Sequence, residues 1–430
     1  MQRFWYECCL CCKNKFLMHF KSFFVTSALF LLVITGCTST ENINITDWEP
    51  LPEKSQTAVA AQNKFAFKVF DLINRKNQAG ENLLISPLSI YMDLSMVFNG
   101  ADGATRAGIK KALQLNDIPA SLLNETNHLL LKNLPHADPD VEIDIANSIW
   151  YRHTFTPLSS FLTTNKKFYK AKIEGADFSN KQTVTDINNW VKESTRGKID
   201  AIMEHIEPGD IMFLLNAVYF NGAWTHSFNA KQTRDRDFHT GAGDVKKVPF
   251  MFQKNRYNFY QNDDIQVVEL PYGNGHFSMY ILLPAKNSDL QSLISSFDLN
   301  SFAGLSDRMD TVNLNLHLPK WEASYKINNL APELSQMGME NAFTKKADFT
   351  GMYKNRDAKI SQVRHKTYIK VNERGTEAAA VTSTGIRTTA ATINPPPSMD
   401  INRPFLYLIK ENSSGSIFFL GTVNDPEKKD

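Results

Sequence analysis

The sequence predicts an α+β fold with helices in the first half and mainly antiparallel strands in the second, and three observations lead there. Apolar residues near the start of the body recur every three or four positions, those near its end recur every second position, and the two patterns do not alternate as a parallel α/β fold requires. The chain has 430 residues, 42% of them hydrophobic, which suffices for a large core. A net charge of +2 without a block of like charge argues against a nucleic-acid partner.

In chain order, the first helix sets Phe65, Val69, Leu72 and Ile73 on one stripe behind candidate caps at Ser55 and Thr57. A second helix starts at Ser86, placed to accept from the orphan amides of the first turn. Pro87 follows where no amide partner is needed, and Gly100 stands where the helix should stop. Later, Val312, Leu314, Leu316 and Leu318 alternate with Asn313, Asn315 and His317, the mark of a strand with one buried face. Segments 277–284, 367–371, 405–409 and 417–423 are also strand-like, rich in Val, Ile, Phe and Tyr between turn signals. No repeat or Gly/Pro-rich linker divides residues 56–430, which read as one domain.

The five cysteines fall at positions 8, 9, 11, 12 and 37, so the body has no thiol for a disulfide or a nucleophile. His19 and Lys21 followed by the apolar run 23–34 make an export signal by themselves, which leaves Met1 and Met18 as alternative starts. The run is too short to be read as a spanning helix of about 20 residues. LVITGC at 32–37 resembles a bacterial lipobox. That resemblance implies cleavage before Cys37, acylation of its thiol, a signal peptide over 1–36, a lipidated tether over 37–55 and a place in the bacterial cell envelope. The outer membrane is the expected site, with the domain facing the periplasm or the exterior. Two or three acyl chains would anchor the chain stably, where one would not.

Enzyme signatures are missing. There is no Gly-x-Ser-x-Gly elbow, no His-Glu-x-x-His pair and no phosphate loop, and Gly273-Asn274-Gly275 precedes a strand, as a turn does and a dinucleotide loop does not. No metal or other cofactor is expected.

One segment departs from its surroundings. From Glu373 to Ile393 the chain is small and nearly uncharged, and Pro395, Pro396 and Pro397 follow. Every second residue, namely Thr376, Ala378, Ala380, Thr382, Thr384 and Ile386, is compact and neutral, while Glu377 and Arg387 fall on the other face. This is a loop that can become a strand. ERGTEAAA at 373–380, together with NLLISPLSI at 82–90, NAVYFNGAW at 216–224 and MDINRPFLYLI at 399–409, resembles four motifs of the serpins, a family of serine-protease inhibitors. The likeness extends from about Phe65 to Pro426.

That resemblance implies a helical region, three mainly antiparallel sheets and an exposed reactive loop over about 373–398. Cutting the loop would let its hinge enter the central sheet and trap a serine or cysteine endopeptidase as a covalent acyl-enzyme. The alternative is a non-inhibitory serpin, acting as a binding protein or a cleavable substrate. The hinge would comprise Glu373, Gly375, Thr376, Glu377, Ala378, Ala379, Ala380 and Thr382. Counting Glu373 as the first residue, the seventeenth is Thr389, which gives Thr389–Ala390 as the reactive bond, with Arg387 or Thr388 as alternatives. A somewhat longer loop also admits Ala391 or Thr392. Thr and Ala suit an elastase-like or subtilisin-like target, and Arg387 a trypsin-like or cysteine protease. Ser86, Ser89, Asn216 and His365 match the family's shutter, and Trp224 its breach; replacing His365 is expected to favour inserted or polymeric forms. The expected partners are a target protease and, through Cys37, a membrane, with the chain itself monomeric.

Overall fold

The structure, a computed structural model, describes residues 49–77, 80–354, 358–376 and 396–427. Helix α1 (Ser55–Asn74) precedes strand β1 (Leu83–Ile85) and helix α2 (Pro87–Phe98). The remaining strands are β2 (Val141–Arg152), β3 (Lys172–Ala176), β4 (Met212–Ala223), β5 (Arg234–His239), β6 (Val245–Gln261), β7 (Ile265–Tyr272), β8 (Phe277–Pro284), β9 (Asp310–Pro319), β10 (Trp321–Ile327), β11 (Gln362–Asn372), β12 (Gly375–Thr376), β13 (Ser398–Asp400), β14 (Phe405–Glu411) and β15 (Ile417–Val423).

Among the described residues these strands form two sheets. One runs β10-β11-β12-β4-β2-β3; the other runs β1-β15-β14-β8-β7-β6-β9-β13, with β5 paired to β6. Pairing is antiparallel except for β2–β3, β4–β11 and β9–β13. The resemblance implied three sheets. Two of them merge because the 17-residue β6 pairs with β5 along its first part, with β9 along its middle and with β7 at its end.

The core lies between the two sheets. Phe220 of β4 meets Tyr272, Phe277 and Phe419 at centroid distances of 5.2, 6.0 and 6.1 Å, and Trp321 of β10 packs on Phe405 and Tyr407 of β14, each at 5.4 Å. Helix α2 is buried at every residue and packs against β4 and β15, as its all-round apolar sequence requires.

Several local expectations need correction. The cap of α1 is Lys54, not Ser55 or Thr57: Ser55 is the first helical residue, and the Thr57 hydroxyl donates to the Lys54 carbonyl oxygen. Ser86 does occupy the N-cap position of α2, ahead of Pro87, but its hydroxyl makes no capping bond. Gly100 lies two residues past the end of α2 for want of space, since a Cβ there would sit 2.7 Å from the Met352 Cβ. Nor do strands simply follow helices. β1 to β5 interleave with the helices of the first half, and β4 escaped notice because it is covered on both faces and shows no alternation.

Candidate functional site

Gly375 and Thr376 form a strand of two residues wedged between two long ones. On one side they pair with Asn372 and Val371 of β11, and on the other with Ala223 and Gly222 of β4. Further along the same seam β4 and β11 pair directly, Phe213 to Asn216 against Gln362 to His365. Among the described residues, 217–221 of β4 and 366–370 of β11 have no ladder pairing across the seam, although both strands stay bonded to their outer neighbours. The sheet is therefore closed at one end and parted at the other.

The wedge is built tightly. Gly375 has a φ of +147°, and a Cβ there would lie 2.0 Å from the Gly222 carbonyl oxygen, so only glycine fits. Thr376 is fully buried with its Oγ1 2.8 Å from the Tyr272 hydroxyl. Burial pushes the Tyr272 phenol far up, which keeps it neutral. Trp224 stacks on Tyr272 at 4.4 Å, donates from Nε1 to the Asn372 carbonyl oxygen at 3.0 Å and from its backbone N–H to that of Arg374 at 2.8 Å. Glu373 is gripped from outside: its Oε2 lies 3.0 Å from Lys320 Nζ, and Thr233 donates to its Oε1 at 2.8 Å. Burial by itself would raise this carboxyl, but its own backbone amide, Lys320 and Thr233 outweigh that and hold it below the usual glutamate range.

At the closed end the four residues singled out as a shutter come together. Ser86 donates its backbone N–H to His365 Nε2 at 3.0 Å, and His365 is the register partner of Asn216. Ser89 donates to Asn216 Oδ1, and Asn216 Nδ2 donates to Asn147 Oδ1 at 2.5 Å. Burial takes the His365 imidazole down to about 3, so the ring is neutral with Nε2 bare as an acceptor. The Ser86 hydroxyl is buried with no hydrogen-bond partner among the described residues, which leaves a spare donor and acceptor beside the seam.

Of the other residues singled out, Glu377, Ala378, Ala379, Ala380 and Thr382 of the hinge lie outside the described residues. So do Arg387, Thr388, Thr389 and Ala390 of the candidate reactive bond, and Cys37. Sequence reasoning missed Tyr272, Lys320, Thr233 and Asn147, which reach the site from distant parts of the chain and carry no local signal.

Because the folded state holds His365 neutral while an unfolded chain protonates it near pH 6.5, its contribution is fully present above that pH. It drains away as pH falls from there toward about 3. Thermal stability should therefore decline between pH 7 and pH 5, and His365→Asn should flatten that slope. An equal slope in both proteins would remove the role assigned to the ring.

Comparison with known proteins agrees with this geometry. The family model described as Serpin (serine protease inhibitor) matches residues 60–426. Leukocyte elastase inhibitor of Sus scrofa is 34% identical over 382 residues, covering 85% of this chain and 99% of that protein. A serpin-like protein of Methanosarcina mazei is 29% identical, covering 94% and 97%. Among solved structures, the thermophilic serpin tengpin in its native state superposes with a TM-score of 0.79 at 34% identity, covering 88% of this chain and 95% of that one. Human thyroxine-binding globulin complexed with thyroxine gives 0.79 at 26% identity, covering 87% and 100%.

Proposed function

The chain belongs to the serpin family, and from that premise we propose that it inhibits an endopeptidase by trapping it once, as an acyl-enzyme, while the cut loop enters the seam between β4 and β11. The observation that carries this reading is the wedge: Gly375 and Thr376 already occupy the mouth of a seam that closes only at Asn216 and His365. The run that would follow them in, 377–386, contains no proline, and its alternate members are small and neutral. Ladder bonds worth about 1 kcal/mol each would reward entry. The residues around the seam would then hold, orient and exchange hydrogen bonds, with the Ser86 hydroxyl, Asn216 amide and neutral His365 ring serving both states of the sheet.

Thr389–Ala390 is the proposed reactive bond, and its small side chains favour an elastase-like or subtilisin-like target. The names of the leukocyte elastase inhibitors support that choice. Arg387 leaves a trypsin-like or cysteine protease as the second class to assay. The LVITGC motif supports a lipid anchor at Cys37 in a bacterial envelope, with 1–36 removed.

Mixing the purified chain with pancreatic elastase and with trypsin, then boiling in detergent, is expected to leave a covalent adduct with the first. Mass analysis of the released C-terminal peptide should begin it at Ala390. A clipped chain with fully active protease would instead make this a substrate or binding protein.

A further inference from the structure

A cavity of about 480 Å³ opens where the end of α1, the helix Leu290–Ser296 and the residues just before β14 meet, and none of the residues lining it belongs to the seam. That volume lies within the ~300–1,000 Å³ of small-molecule sites. Pro284, Leu290, Ile294 and Pro404 make its apolar wall. Asn74 and Gln291 add amides to the lining, joined by a 2.5 Å hydrogen bond from Asn74 Nδ2 to Gln291 Oε1. Among the described residues that line it, Arg403 is the cation and Asp289 the anion. Asp289 is already employed. It caps the helix Leu290–Ser296, with Oδ1 accepting from the Ser292 backbone N–H and Oδ2 from the Ser292 hydroxyl, each at 2.7 Å.

Arg403 is only partly employed. Its Nε and Nη2 donate to the Pro284 carbonyl oxygen at 3.0 and 2.6 Å, and its Nη1 donates to Asn402 Oδ1 at 3.3 Å. Three of the five N–H donors of a guanidinium are thereby used, which leaves one on each terminal nitrogen. No carboxylate is in ion-pair contact with Arg403 among the described residues: Asp400, whose charge acts on it, contacts Arg236 and His317 instead. Burial of this unpaired guanidinium draws its pKa below the ordinary arginine range.

We propose that this cavity binds a small organic monocarboxylate with an apolar body, its carboxylate on the open donors of Arg403 and its body against Leu290 and Ile294. The site stands whether or not the chain traps a protease, since no residue of the seam takes part. Two N–H groups on neighbouring nitrogens match the two oxygens of a carboxylate, and the Pro284 carbonyl already fixes the plane of the guanidinium, so little order is lost on binding. Charge selects the valence. One guanidinium balances one negative charge, whereas a dianion would leave a charge in excess beside Asp289. A clamp on Pro284 and Asn402 accounts for the three bonds made, but not for a cavity beside the two donors left over.

The test titrates the purified chain calorimetrically with 2-naphthoate, octanoate, 2-naphthalenemethanol and 2-naphthyl phosphate. At least one of the two acids should bind one-to-one with a Kd below about 1 mM. The alcohol presents the naphthyl body without the charge and should bind about ten-fold more weakly than 2-naphthoate, with the phosphate no tighter than the acid. Arg403→Lys keeps the charge but not the planar fork, so it should weaken the acids about ten-fold and leave the alcohol unchanged. Leu290→Trp narrows the cavity and should abolish binding of every probe, which decides the matter even if Arg403→Lys does not fold. Failure of both acids to bind the parent, equal affinity for acid and alcohol, tighter binding of the phosphate, or full affinity in Leu290→Trp would each overturn the site.

Discussion

A single cut at the Thr389–Ala390 bond is expected to raise the melting temperature of the chain by about 5 °C or more. Most cuts in a surface loop leave stability unchanged or lower it, because they free chain ends and add nothing. Here the severed strand has somewhere to go. Ten residues, 377–386, would continue β12 down the seam, each with an amide and a carbonyl able to enter a ladder with β4 on one side and β11 on the other. About twenty bonds at ~1 kcal/mol each, less about four that β4 and β11 give up where 213–216 now pair with 362–365, together with a few kcal/mol from burying small side chains, exceed an ordering cost of about 1 to 2 kcal/mol per residue by roughly 4 kcal/mol. For a body of about 380 residues, with an unfolding entropy near 2.1 cal/mol/K per residue, that surplus converts to about 5 °C. Differential scanning calorimetry of intact and cut protein at equal concentration checks it. Transitions within about 2 °C of each other would mean that the cut strand stays out of the sheet.

The sequence and the structure agree where local chemistry is decisive. Pro87 fixes the start of α2 because its ring and its missing amide suit the first turn. The strands predicted at 277–284 and 417–423 coincide with β8 and β15, since dense apolar runs end there at turns such as Gly273 to His276. Legibility fails where burial is symmetric. Met212–Ala223 is covered by the inter-sheet core on one face and by Trp150, Ile187 and Val191 on the other, so neither period appears in its sequence. The site divides in the same manner. Ser86, Ser89 and Asn216 lie in family motifs and His365 matches a family position outside them, and the structure brings the four together. Their supports were out of reach: Asn147 lies 69 residues from Asn216, Tyr272 lies 104 from Thr376 and Lys320 lies 53 from Glu373, and nothing local marks such partners.

Ala380→Arg should convert the chain from a trap into a substrate, cutting the fraction of encounters that end in adduct by more than about ten-fold. The argument is one of parity. Thr376 is fully buried with its hydroxyl on Tyr272, so it points into the protein from the seam. A strand that continues from it turns Ala378 and Ala380 the same way and Glu377 and Ala379 the opposite way. An arginine at 380 would therefore have to enter the space beneath β4 and β11, which Phe220, Tyr272 and other core side chains already fill. Burying an unpaired guanidinium there costs several kcal/mol, enough to stall entry part-way while the protease completes its turnover. The uncut variant should melt with the parent, because position 380 lies beyond the wedge, and the cut variant should lose the gain in melting temperature. Ala379→Arg is the matched control: the same charge one residue earlier faces outward and should leave trapping nearly intact. If both arginines abolish trapping equally, or neither does, the loop does not enter in the register that Gly375 and Thr376 set.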